Sequence, residues 1–312
     1  MFIEQALKNY HEFWRYLIGL MLIILAVVIG QVPLTIALFL NGSLDPNMDQ
    51  MEMLNSLDSN YSFFLMLLTF AVGLIGIFFV AKNIHYQSIR SLTTARDKVD
   101  WSRIGFGFGI IALISVSTVL IDYFSNPQDY VVNFEPTKFY IMLVIAVIFV
   151  PIQTSFEEYL FRGYLMQGFG VLSKTRWLPL IITSVIFGGL HFFNPEVTKL
   201  GNIIMIYYIG TGFLLGIMTL MDDGMELALG FHAGNNLITA VLVTADWTAF
   251  QTNSLLKDIS EPGTGWENVY PILIMYPIIL FIMARKYKWT NWKDKLFGSV
   301  KEDTNLDSQI SS

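Results

Sequence analysis

Three short stretches of this chain carry residue types that do chemistry. "SFEEYLFRGYL" holds Glu157, Glu158 and Arg162, "FGGLH" ends at His191, and "HAGNN" holds His232 and Asn236. A carboxylate, two imidazoles and an amide in one apolar cavity supply a general base, a partner for it and two hydrogen-bond donors for developing negative charge. That is the equipment for hydrolysis by an activated water. Residues 158 and 162 are i,i+4 neighbours on a helix and can form an ion pair. Glu157 lies about 100° away around the same helix and is freer to face something else. His232 and Asn236 repeat the i,i+4 spacing and share a face.

Other chemistries are weighed on the same residues. Cysteine is absent, which excludes disulfides, thiolate metal sites and a cysteine nucleophile. Ser155 precedes the acidic pair but has no convincing base beside it. Glu157, His191 and His232 form a candidate ligand set for zinc with water in the fourth position. HExxH is absent, and the metal stays open. Glu158 with Arg162 reads first as a structural pair that neutralises itself. A proton- or ion-coupled carrier and a catalytically silent scaffold are the rival functions, although the two halves of the chain show no matching repeat of the kind carriers use. Phe187, four residues before His191, reads as packing against the imidazole, and Asn235 has no assigned partner. "MDDGME" reads as a solvated turn, and Trp14, Trp177, Trp289 and Trp292 as interface anchors.

The elements that must position these groups are membrane helices. The 312 residues are 54% hydrophobic, 15% aromatic and 14% charged, and the mean hydropathy is +0.54. Those values lie on the membrane side of ordinary globular composition. No cleavable leader stands out in the polar residues 1–13. The net charge of -6 says little about partners, because its distribution matters more than its sum; nucleic acid is not among the expected partners. Apolar runs of membrane-spanning length are expected at 14–40, 61–81, 104–124, 139–168, 177–193, 203–221, 226–245 and 269–284. The fold class predicted is all-α and polytopic, with about eight transmembrane helices around an intramembrane polar site. Residues 1–138 form the N-terminal spans, 139–245 the core carrying the three motifs, 246–300 the last span and a basic end, and 301–312 a disordered tail.

Lysine and arginine divide 16 against 3 between the two sets of connections, with Lys138, Lys199 and Lys257 in the minority. This bias predicts a multi-pass protein of the cell membrane with both termini cytoplasmic. On that topology Glu158 lies about 16 residues or ~24 Å from the cytoplasmic end of its span, and His191 about 15 residues or ~22 Å. His232 and Asn236 lie about 9–13 residues or ~14–20 Å in. Three polar clusters at similar depth on three helices point to one site. Small-xxx-small pairs at Gly212 and Gly216 and at Gly230 and Gly234, with Gly188 and Gly189, allow those helices to approach closely.

"EEYLFR", "FGGLH" and "HAGNN" resemble, in order, the EExxxR, FxxxH and HxxxN motifs of the CAAX-protease and bacteriocin-processing (CPBP, or Abi) intramembrane endopeptidases. The resemblance covers about residues 140–245. It implies a membrane-embedded, all-helical peptidase that cuts membrane-associated proteins or peptides, with the lipid bilayer as its surroundings. It also implies that Glu157 and His191 activate a water, that His232 and Asn236 stabilise the oxyanion, and that Glu158 and Arg162 complete and orient the first motif.

Overall fold

The computed structural model describes residues 1–45, 47–263, 265 and 268–301. Eight long helices organise it: α1 (Phe13–Leu40), α2 (Ser59–Asn83), α3 (Trp101–Ser125), α4 (Pro136–Ser173), α5 (Trp177–Leu190), α6 (Ile204–Asp222), α7 (Glu226–Leu242) and α8 (Pro271–Tyr287). The chain is an all-α polytopic membrane protein. Five of these helices, α1 to α4 and α6, are long and apolar enough to cross a membrane. The expected tail 301–312 lies outside the described residues except for Lys301.

The apolar runs make helices because a bilayer offers no water to backbone amides and carbonyls, which a helix satisfies internally. Lipid-facing side chains stay uncovered: Met21, Ile24 and Val28 on α1, and Leu113, Ile121 and Phe124 on α3, are exposed. Polar residues within the spans find partners. Gln31 of α1 accepts from the Thr69 hydroxyl of α2 at 3.1 Å. Small residues set the close approaches. A Cβ on Gly230 of α7 would fall 2.0 Å from the Ile104 carbonyl oxygen of α3, and one on Gly212 of α6 2.8 Å from the Ser184 carbonyl oxygen of α5. These two contacts seat the helices that carry "HAGNN" and "FGGLH".

Two helices depart from their expected form. α5 ends at Leu190, and His191–Phe193 form a 3-10 turn, so His191 caps the helix rather than lying inside it. α7 ends at Leu242, where the span was expected to run to 245. Val243–Ala245 form a strand (β2) instead. β2 pairs in parallel with β3 (Leu256–Asp258), and β3 pairs antiparallel with β1 (Tyr130–Val132). β-branched Val131, Val132, Val243 and Thr244 favour this small sheet, whose strands are too short to stand out against the spans.

The sheet, the start of α2 and the start of α4 share one face, where Asn253 donates to Asn60 at 2.8 Å and Asn60 to the Lys138 carbonyl at 2.9 Å. Lys138, Lys199 and Lys257 belong to this Lys/Arg-poor face. On the opposite face Arg176 joins Glu4 near one terminus, at 2.7 Å, to Asp294 near the other, at 3.1 Å. Arg162 was counted among the connecting charges but is buried inside α4, which leaves the count at 15 against 3.

The turn between α6 and α7 is not solvated as expected. Asp222 and Glu226 are buried, and Arg96 bridges them at 2.8 and 3.0 Å. Arg103 also pairs with Asp222. Trp289 is buried here too and donates its indole N–H to Asp222 at 2.9 Å. It therefore serves this ion network and not the lipid interface, whereas Trp14, Trp177 and Trp292 are exposed. Turn-type residues read as surface because sequence shows no distant arginine. Cysteines placed at Asp49 and Lys257 of this cysteine-free chain are expected to react with an impermeant reagent on intact cells, while one at Arg96 is protected. Labelling at 96 with protection at 49 and 257 overturns that orientation.

Candidate active site

α4 supplies the acids. The π turn Tyr159–Leu165 begins directly after Glu158. Such turns interrupt the regular ladder and recur at functional sites. Glu158 and Arg162 are fully buried and paired at 3.0 Å. Glu158 Oε1 also accepts from His232 Nδ1 at 2.7 Å. Arg162 reaches further, donating to the Gly212 carbonyl of α6 at 3.1 Å and lying 4.4 Å from the centre of the Phe187 ring of α5. One ion pair thus ties together α4, α5, α6 and α7.

Glu157 faces elsewhere, as its place on the helix implies. Its Oε1 accepts from the Gln153 amide at 2.7 Å, and its Oε2 lies 3.5 Å from His232 Nε2. Gln153 Oε1 accepts from Asn236 at 3.3 Å, and Asn236 Oδ1 accepts from Asn235 at 3.1 Å. The three amides form a chain whose N–H groups all point toward the Glu157 carboxylate. Aligned donors of this kind polarise one another in a low-dielectric interior. Gln153 escaped the sequence reading, yet a signal existed: a buried polar residue four before Glu157, in an otherwise apolar run.

His191 is held separately. Its Nδ1 lies 2.8 Å from the Phe187 carbonyl, a group that only accepts. Nδ1 therefore carries the proton, and Nε2 is left as an acceptor. The ring stacks on Tyr208 at 4.4 Å and 23°, and the Phe187 ring lies 5.0 Å away, so that residue packs as expected. Nearby Glu196, in the helix Pro195–Leu200, accepts the Ala249 backbone N–H at 2.8 Å. Burial pushes its carboxyl above the usual range, opposed by that N–H.

Two cavities meet at these groups. One, of about 290 Å³, is lined by Gln153, Glu157, His191 and Asn236. The other, of about 320 Å³, is lined by His191, His232, Asn235 and Asn236 together with Tyr208 and Thr211. All six residues singled out from sequence are thereby placed: five meet by direct contact or through Gln153, and His191 joins them across the cavities. Glu157 lies 3.5 Å from His232 and shares a cavity with His191, but among the described residues no three such side chains stand arranged as a metal site. His232 commits one nitrogen to Glu158 and presents the other to Glu157, which suits proton and hydrogen-bond chemistry.

Residues 136–238 match the family model for type II CAAX prenyl endopeptidase Rce1-like proteins. The chain is also similar to the uncharacterized protein YyaK of Bacillus subtilis (strain 168), at 29% identity over 273 residues, 86% of this chain and 91% of that one. No solved structure matches it.

Proposed function

With its segment 136–238 belonging to the CPBP/CAAX protease family, we propose that the chain is an intramembrane endopeptidase that hydrolyses peptide bonds of membrane-associated proteins or peptides. The observation that carries this reading is the Glu157 carboxylate, part-exposed to a cavity that His191 and Asn236 also line. A water there is deprotonated by Glu157, with His191 Nε2 accepting its second hydrogen bond and aiming its lone pair. The oxygen adds to the peptide carbonyl, and the proton held by Glu157 then passes to the leaving amine.

The developing oxyanion needs donors. Asn236 gives one N–H to Gln153 and keeps the other. His232 gives Nδ1–H to Glu158, and to serve as a donor here its Nε2 must carry a proton as well. His232 and Asn236 together form the oxyanion site. Glu158 and Arg162 position His232 and do not touch substrate.

The test is release of new peptide termini from a membrane-peptide library by purified protein, with and without chelator. Chelator is expected to leave the rate unchanged, and loss of the rate with recovery on added zinc overturns the metal-free mechanism. Asn236→Ala is expected to lower kcat about 10²–10³-fold with little change in KM, since the donor acts on charge that exists only in the transition state. An equal rise in KM instead assigns Asn236 to ground-state binding.

A further inference from the structure

The cavity that holds Glu157 adjoins a third one on the Lys/Arg-poor face. This outer cavity, of about 270 Å³, lies between residues 51–66 and 244–257. Met51, Leu54, Met66, Ala249 and Phe250 line both. The rest of its wall is largely amide and hydroxyl, including Asn55, Ser59, Asn133 and Gln251. Asp246 and Lys257 on this wall pair with each other at 2.7 Å, so the wall has no net charge.

Toward the opposite face, further along α4 and α6, Arg162, Met166, Leu215, Met218 and Thr219 are each 0% exposed. His191 sits where α5 stops and the chain turns across the Lys/Arg-poor face. Between the outer and inner cavities stands Phe250. Its neighbours are pinned on both sides, Ala249 by Glu196 at 2.8 Å and the Gln251 carbonyl by the Ser59 hydroxyl at 2.7 Å.

We infer that substrate reaches Glu157 from the Lys/Arg-poor, extracytoplasmic face, as an extended, uncharged peptide segment passing Phe250. This rests on the proteolytic reading above. A wall of amides and hydroxyls without net charge offers hydrogen bonds to peptide backbone, which every extended segment carries, and gives no counter-charge to an acidic or basic one. The substrates are accordingly exported peptides or the outer segments of membrane proteins.

The test uses the full-length chain with a single cysteine at Asn55, Gln251 or Leu172, the last exposed at the opposite end of α4. Intact cells are treated with a charged, impermeant maleimide, and the purified variants are then assayed on a fluorogenic peptide. Modification is expected at 55 and 251 and not at 172, and it lowers the cleavage rate about tenfold or more by obstructing substrate positioning. Full modification of Leu172→Cys in detergent leaves the rate within about twofold, a shift expected of a surface change remote from the site. Protection of 55 and 251 in intact cells, or their full modification without loss of rate, overturns the inference. If the unmodified variants cleave nothing, the proteolytic reading fails instead, and the labelling pattern alone still decides which face the cavity opens on.

Discussion

Glu157→Gln is expected to lower turnover about 10²–10⁴-fold, the span typical of a lost general base, while the protein folds and binds as before. The substitution keeps the side-chain volume. It replaces the basic carboxylate by an amide that cannot take the proton, while its remaining oxygen can still accept from Gln153. Glu157 is partly exposed to the cavity, at 14% of its side chain, so a neutral amide there is not left dry. The melting temperature in detergent is expected to stay near that of the parent, because the new amide keeps an oxygen that can accept from Gln153. Glu157→Asp keeps the acid but draws it back by one methylene and should retain a measurable fraction of the rate. Turnover by Glu157→Gln within threefold of the parent, measured as new peptide termini per enzyme (about 0.7 kcal/mol by the usual conversion), would place the base elsewhere.

Sequence alone carried the helices and the three motif positions because both depend on short-range patterns. The run "FYIMLVIAVIFVP" opens a stretch long and apolar enough to cross a bilayer, and i,i+4 spacing alone marks Glu158 and Arg162 as a pair, which they form. What it missed depends on partners distant in the chain. Gln153 bridges Glu157 to Asn236, 83 residues away, and the buried state of Asp222 and Glu226 follows from Arg96, about 130 residues off. Asn235, without a partner on paper, donates to its own neighbour. The same limit hid the second role of Glu158. Its spacing to Arg162 suggested a self-contained ion pair, yet its oxygen is also the partner of His232, which makes a residue read as structural part of how the site is aimed.

That double role yields the largest expected loss of stability. Arg162→Ala removes the cation that neutralises Glu158, the hydrogen bond to the Gly212 carbonyl and the cation over the Phe187 ring. Breaking a buried pair from one side costs about 3–5 kcal/mol, because the other charge is left behind. A drop in melting temperature or failure to accumulate in the membrane is the expected result. Arg162→Lys keeps the charge but not the fork that reaches Glu158 and Gly212 together, so it should fall between. The decisive variant removes both charges. Glu158→Gln with Arg162→Met exchanges the ion pair for neutral groups of similar size, which often restores stability. It should recover the melt while turnover stays low, because His232 then lacks the carboxylate that holds its Nδ1–H. Recovery of both melt and turnover would make Glu158 and Arg162 a packing device alone, and the orientation of His232 would then rest on Glu157.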